Sequence, residues 1–229
     1  MRGMISQPRY LPTFNYLQRI YQSDIFVILD DVQHQRRCVE HRNKIVSNGE
    51  CVWLSIAMDR SITSRPLIKD LFFCHEFIND HHLKIYQAYL KCSFYDEDLY
   101  KNIYNISNLN FVEYFVKSLK NMFDFFGLRL PKIVHSSSIP DTGSGSQKLF
   151  KICQSLGIKE YVSGPNGRDY LDSSDFKDIK VLYHDFQFPS YTQLSNEFIP
   201  WVCWLDGCFN EGIDFVKHQI TETMRLCND

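Results

Sequence analysis

The chain of 229 residues is 44% apolar and 23% charged, a balance that fits a globular protein and excludes disordered and collagen-like classes. Its 25 Lys and Arg stand against 27 Asp and Glu for a net charge of -2, and without a long run of one sign no whole-domain nucleic-acid footprint is expected. The apolar runs are strand-length, short of the roughly 20 residues of a membrane helix, and Met1 to Ile5 is too short for a signal peptide, so a cytoplasmic protein is expected.

Gly3 to Ser6 reads as a strand running into the turn Gln7-Pro-Arg-Tyr. Leu11 to Tyr21 has apolar residues at 11, 14, 17, 20 and 21, a helical spacing. Asp24 to Asp30 is a β-branched and aromatic run suited to a strand buried on both faces. The opening 31 residues thus form a β-loop-α-β unit, which places ligands beyond the carboxyl ends of parallel strands. Gln33 to Asn48, with Arg36, Arg37, Arg42 and Lys44, reads as a long functional loop before a strand at Cys51 to Ile56.

The middle of the chain, about 66–128, reads as a helical insertion or lid: helices at Asp80 to Cys92 and Leu109 to Phe126, the latter closed by Gly127, with a short helix or loop at Asp96 to Asn105 between them. Strand and helix then alternate again. Ile133 to His135, Glu160 to Ser163 and Lys180 to Tyr183 are strands, Gln147 to Leu156 is a helix closed by Gly157, and Arg168 to Leu171 opens another helix. The fold class implied is α/β, a mostly parallel sheet with helices on both faces, Rossmann-like or nucleotidyltransferase-like, in one domain over 1–229. The eight cysteines include no C-x-x-C pair. That spacing rules out a zinc ribbon and a thioredoxin motif, and the cysteines read as reduced, mostly buried thiols.

Several residue groups suit chemistry. Gln7 and Tyr10 stand where the first strand meets the first helix and suit substrate hydrogen bonds, although two prolines would also simply shape a turn. Asp30 and Asp31 end the second strand; adjacent carboxylates there need cations or amines unless they are a solvated turn, and one of them is a candidate base. Arg42, Asn43 and Lys44 suit a phosphate or a solvated basic loop. His75, His81 and His82 lack the spacing of a metal helix, so no metal and no cofactor are expected. His82 and His184 are candidate general bases, with surface or capping roles as the alternative. The turn from Ser163 through Gly164 to Gly167 lacks the order of a nucleophile elbow, but its amides suit a phosphate or an oxyanion. Gln187, Tyr191 and Gln193 suit sugar hydroxyls or a solvated loop.

Five segments in this order, Gln7-Pro-Arg-Tyr-Leu-Pro12, Asp24 to Gln33, Arg42-Asn-Lys-Ile45, Tyr161 to Leu171 and Phe186 to Gln193, resemble the WbqC-like family from about residue 4 to Gly212. That resemblance implies a role beside surface-polysaccharide and O-antigen genes and a suggested transfer of glycine or another amino acid to an amino sugar. It carries over, position by position, to Gln7, Tyr10, Asp30, Asp31, Gln33, Arg42, Asn43, Lys44, His82, Ser163, Gly164, Gly167, Asp169, Tyr170, Gln187, Pro189, Tyr191 and Gln193. The chain departs from the family pattern at Ser6 and Phe188, each in place of a histidine.

The function implied is transfer of an aminoacyl or acyl group to a nucleotide-linked amino sugar, with a sugar nucleotide and an activated acyl or aminoacyl donor as small-molecule partners. Asp31 or His82 is the expected base, with His184 in reserve, and the Ser163 to Gly167 amides the oxyanion donors. The alternatives are a nucleotidyl-transfer enzyme, disfavoured by the missing H-x-G-H signature, and a non-catalytic sugar-nucleotide or glycan-binding protein. Tyr10, Tyr170 and Tyr191, lying inside polar motifs, are expected to line a sugar-sized cleft.

Overall fold

In the computed structural model, residues 1–35, 38–59, 66–107, 109–140, 142–176 and 178–228 are described; Arg36 and Arg37 of the basic segment lie outside them. The first half runs β1 (Arg2–Ser6), α1 (Phe14–Tyr21), β2 (Ile25–Ile28), β3 (Arg42–Ser47), β4 (Glu50–Ser55), β5 (Met58–Asp59), β6 (Phe72–Phe73), α2 (Phe77–Tyr89), α3 (Leu99–Tyr104) and α4 (Phe111–Phe126). The second runs β7 (Lys132–His135), α5 (Gly145–Leu156), β8 (Glu160–Ser163), β9 (Lys180–His184), α6 (Trp204–Glu211), α7 (Ile213–Thr221) and β10 (Leu226–Cys227).

Six strands form the main sheet in the order β10-β9-β8-β1-β2-β7, parallel throughout except for β10. The alternation of side chains along β2 explains its unbroken apolar run. Phe26 and Ile28 face one core cluster while Ile25 and Val27 face the other. The two faces are covered unequally. Residues of α1, α2, α3, α4, α6 and α7 enter the larger cluster, whereas α5 alone among the described α-helices packs the smaller one, through Leu149, Ile152 and Cys153. No described helix is long and apolar enough to cross a membrane.

The chain moves outward from β1 through β2 to β7, then returns to β8 on the other side of β1. The β1–β8 boundary is therefore the point at which the strand order reverses, the position where open α/β sheets receive ligands. The residues that follow Ser6, Ile28, His135 and Ser163 all project from this one edge.

Three expectations are corrected. The Gln33 to Asn48 segment is not loop throughout, because β3 and β4 make an antiparallel hairpin turned by Asn48 and Gly49, with φ of 51° and 78°. Both residues take the left-handed conformation a two-residue hairpin turn requires. Arg168 to Leu171 opens no α-helix; Pro165–Asp169 is a 3-10 turn that ends at Tyr170. The cysteines are free but not mostly buried: Cys153, Cys203 and Cys208 are buried, whereas Cys51, Cys74 and Cys227 are exposed. Beyond these, α6 and α7, in a stretch to which local pattern assigns no element, close the larger core.

Candidate active site

Two sequence-adjacent carboxylates emerge from β2 and are satisfied in different ways. Asp30 is 2% exposed and accepts hydrogen bonds from the Ser137 amide at 2.9 Å, the Ser137 hydroxyl at 2.9 Å and the Ser136 hydroxyl at 3.1 Å. It also faces His135 Nδ1 at 3.0 Å. Asp31 is paired with Lys148 Nζ at 2.6 Å and shares the Ser136 hydroxyl; Lys148 in turn donates to Thr142 Oγ1 at 2.9 Å. Burial works to raise the Asp31 carboxyl, but the hydrogen bonds from Lys148 and Ser136 and the lysine charge outweigh it and hold the group below its ordinary value. A carboxylate held in that way accepts a proton poorly at neutral pH.

His135 has the opposite character. Its side chain is 41% exposed while that of its partner Asp30 is 3% exposed. A buried carboxylate on Nδ1 fixes the tautomer with the Nδ1 proton and leaves Nε2 free to accept one from outside. Sequence reasoning missed this residue because it reads as the last position of an ordinary strand.

At the β1 and β8 ends lies a second concentration of charge. Arg19, on α1, is 4% exposed, and its guanidinium lies against the backbone of Gly164, where an added Cβ would stand 3.3 Å from Nη1. Arg9 comes from the β1–α1 loop, and the Tyr16 ring lies 5.2 Å from its guanidinium and 5.9 Å from that of Arg19. Neither guanidinium makes a hydrogen bond or ion pair with a described residue, and Arg19 Nε and the Ser163 hydroxyl are buried without partners. Burial and the neighbouring Arg9 charge push Arg19 down to about 10, and burial also lowers Arg9. The buried Arg19 guanidinium, without a carboxylate partner and beside half-buried Arg9, is costly in the free protein and complementary to an anion, while Glu40 offsets part of the Arg9 charge.

Gly167 closes this corner by close approach rather than by unusual dihedrals, since a Cβ there would meet Ser163 Oγ at 2.0 Å and the Tyr183 ring at 3.1 Å. Gly167→Ala is expected to cost about 1–3 kcal/mol through overpacking, and Ser163→Ala in the same chain to recover part of it. Urea unfolding of the single and double variants measures both.

Residues 7–218 match the WbqC-like protein family. The chain belongs to that family. The uncharacterized protein Rv1507c of Mycobacterium tuberculosis (strain ATCC 25618 / H37Rv) is 27% identical over 222 residues, which cover 92% of this chain and 94% of that protein. No solved structure matches.

Of the family positions, Gln7, Asp30, Asp31, Ser163, Gly164 and Gly167 of this WbqC-like protein gather at the carboxyl edge of the sheet. Tyr170, 56% exposed, lies just beyond the 3-10 turn after β8. Others are turned inward. Tyr10 is 3% exposed, its hydroxyl set between His81 Nδ1 and the Tyr100 hydroxyl, both at 2.7 Å. Asn43 donates to the Leu11 carbonyl and so holds a residue whose φ is 46°. Tyr191 and Gln193 donate to Asp206 at 2.7 and 2.8 Å, and Tyr89 donates to the same carboxylate at 2.7 Å. Asp206, fully buried and raised by burial against those three bonds, thereby ties the last motif to the core. Tyr10 and Tyr191 consequently face packed side chains rather than an open cleft.

The remaining predicted residues are dispersed. Arg42 and Lys44 lie over the Trp53 ring on the β3–β4 hairpin, at 4.2 and 5.9 Å. Gln33 and Asp169 are exposed, and Gln33 bridges to Leu67. His82 sits on α2, lowered by burial and then by Lys101. His184 is 1% exposed and faces Gln18 Oε1 at 2.7 Å. Gln187 and His184 do meet, in a small polar depression also lined by Gln18 and Gln219. The histidine-replacing residues fall apart as well: Ser6 ends β1, while Phe188 packs among Phe14, Phe198, Tyr191 and Trp201. Among the described residues, His34, Cys38, Glu40 and His41 form the group of metal-type donors, and none of the predicted histidines belongs to it.

Proposed function

We propose that the protein transfers an aminoacyl or acyl group to the amine of a nucleotide-linked amino sugar, in line with the biosynthetic association of the WbqC-like family. The observation that carries this reading is the pairing of half-exposed His135 with buried Asp30 on the same sheet edge as Arg9 and the buried, carboxylate-free Arg19. Acyl transfer to an ammonium group needs a base, and an imidazole oriented by a carboxylate supplies one. His135 takes that role in preference to Asp31, His82 and His184. Asp31 is committed to Lys148, and His184 is enclosed.

The arginines, with Gly164 behind them, would hold the substrate's phosphates in place of Arg42 and Lys44. Strands β1 and β2 separate β8 from β7, a spacing of roughly 14 Å at about 4.8 Å per strand. Only an extended ligand engages both ends, which favours a sugar nucleotide over a small anion. The strand order also supports a nucleotide, since it follows the succession of doubly wound, Rossmann-like sheets with the last strand reversed.

His135→Gln is expected to lower the single-turnover rate of acyl transfer to UDP-hexosamines by about 10²–10⁴-fold while leaving UDP-hexosamine affinity unchanged. Full turnover in that variant, or no transfer by the unaltered protein from acyl thioesters and aminoacyl donors, removes the reading.

A further inference from the structure

The segment between β2 and β3 carries four side chains of metal-ligating type within eight residues: His34, Cys38, Glu40 and His41. One donor atom from each lies within 4.8 Å of all the others. His34 Nδ1 is 2.5 Å from Glu40 Oε2, and Cys38 Sγ is 4.0 Å from His34 Nδ1 and 3.7 Å from His41 Nδ1. The His34 and Glu40 side chains are each 2% exposed, and the residue His41 is 7% exposed. The other nitrogen of His34, Nε2, is buried without a partner.

The backbone holds three of these residues independently of any ligand. The His34 amide donates to the Pro66 carbonyl at 3.0 Å, the Tyr10 amide to the Glu40 carbonyl at 2.7 Å, and the Ile56 amide to the His41 carbonyl at 2.9 Å. Cys38 stands between His34 and Glu40 in the chain, and its Sγ also lies 2.9 Å from the Gln35 carbonyl. Three of the four donors therefore sit on backbone anchored to the β1–α1 loop, to the residue just after β4 and to the chain before β6.

We propose that His34, Cys38, Glu40 and His41 bind one divalent transition-metal ion of the zinc class. One thiolate, one carboxylate and two imidazoles form a four-coordinate set of nitrogen, sulfur and oxygen donors. Thiolate and imidazole select against magnesium and calcium, which take oxygen. Charge favours the same conclusion, because a thiolate and a carboxylate neutralise a dication in a buried setting where either anion alone would be costly. Tetrahedral zinc sites place neighbouring donors about 3–4 Å apart, so binding requires the His34–Glu40 contact to open by less than an ångström or so while the cysteine closes in. Cys38 releases its thiol proton on binding. With all four positions taken by protein donors, the site is closed and structural. It clamps the turn after Asp30 and Asp31 to the Tyr10 backbone and to β4. The inference stands apart from the transferase reading and does not use His135 or the arginines.

The test uses the full chain, stripped with a chelator and titrated with cobalt(II), then with zinc(II) alone. The expected result is one equivalent bound with the intense visible bands of tetrahedral cobalt and a thiolate-to-cobalt charge-transfer band, both displaced by zinc. Cys38→Ser abolishes the charge-transfer band and Cys51→Ser, at an exposed cysteine on β4, leaves it intact. Zinc also raises the melting temperature of the unaltered chain and of Cys51→Ser but not of His41→Ala; a His41→Ala chain that fails to fold is replaced by Glu40→Gln. A titration without tetrahedral cobalt bands at one equivalent, or a charge-transfer band that survives Cys38→Ser, overturns the proposal.

Discussion

Arg19→Met is expected to stabilise the free protein and to weaken its binding of nucleotide sugars. The two effects have one origin. Arg19 is 4% exposed, carries no carboxylate partner among the described residues, and is pressed down to about 10 by burial and by Arg9. Replacing buried ionic groups by apolar side chains of similar volume commonly gains about 1–4 kcal/mol, and an unpaired guanidinium belongs at the favourable end of that range. The same substitution removes charge-assisted hydrogen bonds to the ligand, each about 1.5–3 kcal/mol, so affinity for UDP-hexosamines should fall about 10- to 100-fold. Thermal unfolding with and without ligand reads both: the melting temperature of the free variant rises and its ligand-induced shift shrinks at a fixed ligand concentration. A variant that is less stable without ligand, or that keeps its ligand shift, argues that Arg19 is a structural side chain.

The opposed signs matter because they separate a ligand-binding charge from an ordinary core contact. Truncating a packing residue weakens folding and binding together. A group retained in a buried position at a cost to stability is explained when a ligand offsets that cost.

Much of the architecture was legible in local pattern. The β1-α1-β2 opening, the left-handed glycines at 127 and 157 that end α4 and α5, and the strands β7, β8 and β9 all follow from periodicity and caps. Asn110 and Glu113 add a reciprocal capping box to α4. The β3–β4 hairpin carries its own signal in Asn48-Gly49 and in the alternation of buried Ile45 with half-buried Lys44, and the basic composition of the segment masks it.

The site was less legible because its pairs form across long stretches of chain. That two adjacent aspartates at a strand end require donors is a local inference. That the donors are Ser136, Ser137, His135 and Lys148, more than a hundred residues later, depends on β7 lying beside β2. Arg19 was hidden differently. Residues Phe14 through Ile20 are all buried, so the apolar stripe of α1 does not mark its polar positions as solvent-facing. The metal-type cluster was visible as spacing alone, His-x3-Cys-x-Glu-His, but it matches neither C-x-x-C nor H-E-x-x-H.

Acid is expected to unfold the protein in the window from about pH 6.5 down to about 4, above the range in which its paired carboxylates protonate. His81 is 2% exposed and His184 1% exposed, and burial lowers both to about 4. Gln18 explains the neutral form of His184. Its amide nitrogen donates to the Gln219 and Glu222 carbonyls at 3.1 and 2.9 Å, so its oxygen accepts from His184 Nε2–H, and Nδ1 is buried without a partner. Each histidine stays neutral when folded and takes up a proton when unfolded. The unfolded state therefore binds more protons across this interval, and stability falls as pH falls. From neutrality to pH 5 the two together contribute a loss of about 4 kcal/mol. Asp206, raised by burial, opposes this at the acid end, since its contribution is present at low pH and is lost as pH rises through its folded value. Asp31, held low, contributes stability above its ordinary value and loses it only at still lower pH. Urea midpoints at pH 7 and pH 5 measure the slope. His184→Gln, which retains a donor for Gln18, should remove about half of it; an unchanged slope in that variant would assign the acid sensitivity to other groups.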